Sequence, residues 1–229
     1  MKILRMIKLP IKNLLVTTDS TISIISKALR SSHVKVLLDL SKSTQLKRLA
    51  EVNIKSPIES GKNAFMDCKY LTGIILPETV TYIGSYAFAN CESLKTFTVP
   101  DSVTDMKGLV FEGCTNLTSI HIGKGINSYS IMPSTFVAAN LTSLDTFTVS
   151  EENTAFTVVD DVLYTADKKI LVAFPCAKEN LTIPNSVTKI GEGAVFRAIA
   201  IESVDIPNSV TCIGDYAFSE CPVLSEVKN

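Results

Sequence analysis

The segment IPNSVTKIGEGAVF, residues 183–196, recurs almost unchanged 23 residues later as IPNSVTCIGDYAF, residues 206–218. The same step separates three phenylalanines and three cysteines in the middle of the chain: Phe65, Phe88, Phe111, Cys68, Cys91 and Cys114. A fixed period of this length indicates a solenoid in which each repeat forms one coil. The repeat therefore decides the fold, whereas no single residue decides the function.

Each position of the repeat has a structural role. An alternation of apolar and polar residues closes each copy and predicts a short strand with one buried face. Six such strands are predicted, at Leu71–Leu76, Leu94–Val99, Leu117–Ile122, Leu144–Val149, Ile201–Ile206 and Leu224–Val227. One coil cannot bury its apolar side alone, so we expect parallel strands and a shared column of phenylalanines. Gly84, Gly191 and Gly214 are expected to adopt turn conformations that a Cβ would disfavour.

The stretch ILPETVTYIGSYAFANCESLKTFTVP, residues 75–100, and the two segments above resemble the leucine-rich repeats of the BspA-like family. The resemblance extends over residues 54–229. It implies an α/β solenoid with short parallel strands and six leucine-rich repeats. Members of this family are often bacterial or protozoan surface adhesins that bind host matrix proteins or other cells. The resemblance therefore implies a protein partner and a location at the cell surface or in the periplasm.

The residues before the repeats predict a cap. Within residues 1–53, apolar residues at helical spacing predict a helix over about 20–30. A degenerate first strand is expected over about 34–40, because apolar residues alternate there. Such a capping segment would cover the exposed end of the solenoid.

Two blocks of repeats are separated by a different pattern. Residues 54–149 hold repeats 1–4, and residues 183–229 hold repeats 5–6. Between them, residues 150–182 contain VVDDVLYTADKKILVAF, in which two β-rich runs surround ADKK. This arrangement predicts a β-hairpin insert that divides the sheet within one continuous solenoid domain. At the other end, CPVLSEVKN stops within a repeat without a cap. Either its strand stays exposed or it pairs with another chain, and we favour pairing.

The composition excludes several classes of partner and protein. The 229 residues carry a formal net charge of −1, with 46% hydrophobic and 20% charged residues. This balance is typical of a globular protein that buries a core. It provides no general field for a polyanion, so nucleic acid is not an expected partner. No apolar run approaches the roughly 20 residues that span a bilayer.

The first 18 residues, MKILRMIKLPIKNLLVTT, are basic and apolar. Lys8, Pro10 and Lys12 interrupt the apolar run and no small-residue cleavage pattern follows, which disfavours a signal peptide. We favour an amphipathic or packed segment, and contact with a membrane surface stays an alternative. The lack of a recognisable signal suggests the cytoplasm, in contrast to the family resemblance.

Residues able to bind metal or perform catalysis are few. His33 and His121 are the only histidines, and no C-x-x-C pair occurs, so no zinc site is expected. Four cysteines share one repeat slot, and parallel Cβ vectors favour buried thiols over disulfides: Cys68, Cys91, Cys114 and Cys221. Cys212 occupies a variable position and is expected to be exposed. No complete phosphate-binding motif or nucleophile elbow is present. We therefore predict no enzyme, cofactor or metal.

The outward side of the strands is the first candidate binding surface. It is expected to present small polar side chains from successive coils, which solenoids commonly use to bind extended partners. The candidate residues are Ile75, Thr96, Thr98, Ser119, His121, Thr146, Thr148, Ser203 and Asp205.

The hairpin insert is the second candidate surface, because both of its faces are apolar. One face can cover the break in the sheet, and the other is expected to leave an exposed apolar patch. The candidate binding residues of the hairpin are Leu163, Tyr164 and Leu171.

Together these features predict a non-catalytic protein-binding module that is adhesin-like or surface-associated. Its partner would be a protein, either from the host matrix or a second copy at the C-terminal edge. An intracellular or periplasmic scaffold, or a membrane-associated module using the N-terminus, are the alternatives.

Overall fold

The computed structural model describes residues 7–9, 19–41, 43, 46, 48–49, 64–127 and 140–229. One helix lies in these residues, α1 (Asp19–Ser31). The strands before the insert are β1 (Ile7–Leu9), β2 (Val36–Asp39), β3 (Arg48–Leu49), β4 (Leu71–Ile75), β5 (Tyr82–Ile83), β6 (Thr96–Thr98), β7 (Asp105–Met106), β8 (Ser119–Ile122) and β9 (Thr146–Val149). The later strands are β10 (Phe156–Val159), β11 (Val162–Thr165), β12 (Ile170–Ala173), β13 (Lys189–Ile190), β14 (Ser203–Asp205), β15 (Cys212–Ile213) and β16 (Glu226–Lys228).

The longer strands pair in parallel in three separate groups along the solenoid. β1, β2 and β4 pair in parallel, as do β6, β8 and β9, and then β14 and β16. Within the second group Thr96, Ser119 and Thr146 lie side by side, so the register follows the sequence repeat. The chain is therefore a solenoid of about six coils with short parallel strands, as the period predicts.

A second ladder of two-residue strands lies on the other side of each coil. β3, β5 and β7 pair in parallel. Further along, β13 and β15 continue from β12 in a sheet that begins with the antiparallel strands β10, β11 and β12. Antiparallel strands thus occur where the sequence predicts a hairpin, with the additional strand β10 in front of them.

Phenylalanines form the column that the repeat predicts. The ring centroids of Phe65 and Phe88 are 5.5 Å apart, and those of Phe88 and Phe111 are 6.1 Å apart. Phe97, from the strand side, tilts against Phe88 and Phe111 at 4.8 Å from each. All four rings are buried, and each such pair contributes about 0.5–1.5 kcal/mol beyond the area that it buries.

The expected α/β character is limited to the N-terminal cap. α1 buries Ile22, Ile25 and Leu29, which lie on one side of the helix. The described residues that join the strands of each coil form turns and two-residue strands instead of helices. Left-handed backbone explains this difference, because two slots of the repeat have positive φ, as at Tyr86 (55°) and Asn90 (57°). A right-handed helix cannot continue through such residues.

The glycine expectation was wrong in its physical reason. Gly191 and Gly214 do not have positive φ. A Cβ on Gly214 would lie 2.5 Å from the backbone nitrogen of Glu192, and a Cβ on Gly191 would lie 2.9 Å from the carbonyl oxygen of Leu171. Glycine is needed at both positions because adjacent coils approach closely, not because of the turn conformation.

Candidate interaction surface

The outward side chains of β6, β8 and β9 form a polar surface that we call the hydroxyl face: Thr96, Thr98, Ser119, His121, Thr146 and Thr148. Thr98, His121 and Thr148 occupy one row across the three strands, and the other three residues occupy the next row. All six are exposed or half-buried, while the intervening Phe97, Ile120 and Phe147 are buried. The alternation of the repeat thus places these side chains on the solvent side, as predicted.

Hydrogen bonds order part of the hydroxyl face. His121 Nδ1 lies 2.9 Å from Thr148 Oγ1 in the neighbouring strand. Thr146 Oγ1 donates a hydrogen bond of 2.8 Å to the carboxylate of Asp161. Ile75 borders this surface from β4 and remains 46% exposed. The surface therefore combines hydroxyl donors and acceptors, one imidazole and one apolar side chain on a fixed backbone.

Asp161 joins the hydroxyl face to the next part of the molecule. Its carboxylate accepts the Thr146 hydrogen bond and also accepts one of 3.0 Å from Lys178 Nζ. Its carbonyl oxygen accepts the N–H of Phe147 at 3.1 Å. The hydrogen bonds from Lys178 and Thr146 lower the pKa of the Asp161 carboxyl. This residue therefore covers part of the outer edge of β9, where the regular strand pairing stops.

The second part of the surface lies on β14 and β16. Ser203 and Asp205 are exposed and lie beside Glu226 and Lys228. Thr182 forms a parallel bridge with Asp205, so residues around it continue this ladder. Thr182 falls within the predicted insert, yet Leu181-Thr182-Ile183-Pro184 matches Val204-Asp205-Ile206-Pro207. This match was the signal that could have located the additional strand position.

The prediction of an exposed apolar patch on the hairpin was wrong. Leu163, Tyr164 and Leu171 are all 0% exposed. Leu163 packs into the core of the first coils, whereas Tyr164 and Leu171 pack into the core of the last coils. The hairpin is apolar on both faces because it lies between two cores.

The cysteines have a structural environment. All six are free. Cys68, Cys91 and Cys114 of the shared slot are buried and Cys212 is exposed, as predicted, whereas Cys221 of the same slot is only half-buried. Cys176, outside that slot, is also buried. Cys91 Sγ donates to the carbonyl oxygen of Phe65 at 3.2 Å, and Cys114 Sγ donates to that of Phe88 at 3.1 Å. Burial raises the pKa of Cys68 to about 12 and that of Cys176 to about 11. These thiols stay protonated and satisfy backbone acceptors.

Neither a metal-binding cluster nor a membrane-spanning helix occurs in the described ranges. They contain no group of three or more histidine, cysteine, aspartate or glutamate residues placed to hold a metal ion. No helix within them has the length and apolar character needed to cross a membrane.

The parallel ladder and its outward polar side chains define a leucine-rich-repeat solenoid with an accessible sheet surface. Residues 44–158 and 173–229 match six copies of the family model described as BspA type leucine rich repeat region. The chain belongs to this family. Residues 159–172, which the family model does not match, contain β11 and part of β12.

Solved structures with the same fold come from several bacteria. A leucine rich cell surface protein of Faecalibacterium prausnitzii is 27% identical with a TM-score of 0.50, covering 88% of this chain and 62% of its own. A leucine-rich repeat protein of Eubacterium ventriosum is 20% identical with a TM-score of 0.56, covering 93% and 63%. The pneumococcal vaccine antigen PcpA is 16% identical with a TM-score of 0.57, covering 85% and 50%. The chain thus spans less than two thirds of each of these structures. No curated protein matches it.

Proposed function

We propose that the chain is a non-catalytic protein-binding module that contacts a macromolecular partner through the hydroxyl face. The observation that carries this proposal is the alignment of Thr98, His121 and Thr148 in one row on a rigid ladder. Proteins with this fold are not typically enzymes and commonly bind other proteins through such exposed surfaces. Ser203 and Asp205 extend the proposed contact to the last coils, and Ile75 extends it to β4.

We further propose an adhesin-like role at the cell surface. The description of the Faecalibacterium protein as a cell surface protein supports this location. Host matrix proteins are the proposed partners, and self-association through the strand Glu226–Lys228 stays a prediction. The division into a cap at 1–53, repeats at 54–149 and 183–229, and an insert at 150–182 also stays a prediction.

The surface role is tested by protein capture with matched variants. Wild-type protein is used to capture partners from host matrix and from lysate of the organism, and the bound partner is then titrated against two triple variants. Thr98→Glu, His121→Glu and Thr148→Glu together should abolish binding, because three carboxylates would replace the neutral row. The control carries Thr81→Glu, Thr104→Glu and Thr211→Glu, which are exposed beside the second ladder and add the same three negative charges.

Both variants should stay folded with similar unfolding temperatures, since the substituted side chains are exposed or half-buried. Equal binding by the two variants would remove the hydroxyl face from the proposal. Protease treatment of intact cells tests the location separately. A protein that stays intact until the cells are lysed would support the internal scaffold instead.

The membrane-associated alternative has less support. Ile7–Leu9, in the middle of the basic N-terminal segment, form β1 and pair in parallel with β2. These residues are part of the sheet, so they are not available as a free amphipathic helix.

A further inference from the structure

The exposed ladder changes its charge after the insert. On the last coils the carboxylates outnumber the basic side chains, whereas the six residues of the hydroxyl face include no carboxylate. The exposed carboxylates at or beside the last strand positions are Glu179, Glu202, Asp205 and Glu226. Lys228 is the base among them, and its ammonium pairs with Glu226 at 2.9 Å. The Asp205 carboxylate makes no hydrogen bond or ion pair within the described residues, although Lys228 lies opposite it in the ladder.

An open groove of about 810 Å³ follows this part of the ladder. Its polar lining includes Asn180, Thr182, Ser203, Asp205, Lys228 and Asn229. The volume lies within the range of roughly 300–1,000 Å³ that is usual for ligand-binding clefts. Side-chain amides and hydroxyls can both donate and accept hydrogen bonds, as the backbone of a bound peptide requires.

A buried hydroxyl at the side of the groove has no partner. Ser209 lines the groove, and its Oγ is buried without a hydrogen bond to the described residues. The equivalent Ser102 donates to the carbonyl oxygen of Val80 at 2.6 Å. Because a buried hydroxyl is normally hydrogen-bonded, Ser209 departs from the repeat at the wall of the groove, but its covered Oγ does not face a bound peptide.

We propose that this groove binds an extended segment of a partner protein and places a basic side chain of that segment against Asp205. The strand positions of Thr182, Asp205 and Lys228 span two steps of about 4.8 Å, so about three extended residues cross the groove. The carboxylate provides the charge preference, and the surrounding amides and hydroxyls hold the backbone. This inference rests on the proposed protein-binding function and adds a partner chemistry to it. It concerns the extension of the contact at Ser203 and Asp205, not the hydroxyl face itself.

The test uses the full chain and a fluorescein-labelled peptide of alternating arginine and serine, followed by fluorescence anisotropy. A peptide of alternating glutamate and serine is the charge control. Asp205→Lys should weaken binding of the basic peptide at least about tenfold, because it replaces attraction by repulsion at the centre of the groove. Asp215→Lys makes the same change of charge at an exposed residue outside the groove and should bind as wild type does.

Raising the NaCl concentration from about 0.05 M to about 0.5 M should weaken binding to the wild type, because the screening length becomes shorter. Ser209→Ala should leave the affinity for the basic peptide unchanged, because its hydroxyl is not exposed to the groove. Equal losses for Asp205→Lys and Asp215→Lys would overturn the proposal and indicate general attraction to an acidic surface. No binding of the basic peptide, or equal binding of the acidic one, would also overturn it. The triple variant of the hydroxyl face should bind this peptide normally, so the two proposals fail separately.

Discussion

Replacing Tyr164 with phenylalanine should stabilise the protein. The Tyr164 side chain is fully buried among residues of the last coils, and its hydroxyl makes no hydrogen bond to the described part of the chain. A buried hydroxyl without a partner costs about 1–3 kcal/mol of desolvation free energy. Tyr164→Phe removes this cost and keeps the ring that fills the core. We therefore expect the free energy of unfolding to rise by about 1–2 kcal/mol.

Urea unfolding followed by circular dichroism measures this change at neutral pH. Tyr216→Phe is the matched control, because Tyr216 is 69% exposed and its substitution should change stability by less than about 0.5 kcal/mol. A loss of stability of about 1 kcal/mol or more in Tyr164→Phe would refute the reasoning, since the hydroxyl would then have a stabilising partner.

A pH titration gives a second readout of the same residue. Burial, with a smaller effect of the Asp160 charge, raises the pKa of Tyr164 above its ordinary value. The folded protein therefore resists ionisation of the phenol that the unfolded chain permits above about pH 10. Wild type should lose stability as the pH rises above this value, and Tyr164→Phe should lose less.

Three further predictions concern charge, thiols and backbone packing. Lys178 lowers the pKa of Asp161, so the carboxylate stabilises the fold above its unfolded pKa, and this contribution is lost as the pH falls below about 4. In urea unfolding at several pH values, the free energy of unfolding of Asp161→Asn should therefore fall less in acid than that of wild type. Ellman's reagent should modify Cys212 first in the native protein, whereas Cys68 should react only after unfolding, because it is buried and its pKa is raised. Gly214→Ala should lower the thermal unfolding temperature, since its Cβ would lie 2.5 Å from a backbone nitrogen in the adjacent coil.

The strand ladder could be predicted because each coil repeats the same pattern of apolar and polar residues. Phe65, Phe88 and Phe111 occupy one slot, so their separation in sequence translates directly into stacking in space. The outward row Thr98, His121 and Thr148 follows from the same alternation, although its third member lies beyond a longer coil. Periodicity therefore determined both the core column and the candidate surface.

The environment of the hairpin could not be predicted from its own residues. The sequence of an apolar hairpin face is the same whether that face contacts solvent, a partner or a second core. Leu163 and Tyr164 are adjacent in sequence, yet they pack into different cores on opposite sides of the strand. Both faces are covered because the chain after the insert rejoins the strand ladder at Thr182, which pairs with Asp205.

The same return of the chain explains why the exposed surface has two chemistries. An open strand edge is an aggregation hazard unless another part of the chain covers it. Here the carbonyl of Asp161 pairs with Phe147 of β9, and its carboxylate pairs with Lys178 on the way to the next strand position. Regular strand pairing therefore stops at β9. The residues on the later strands do not continue the row of Thr98, His121 and Thr148, so their side chains can differ from it. The turn that protects the edge thus separates the hydroxyl face from the groove beside Asp205, so a variant of the hydroxyl face should leave the groove intact.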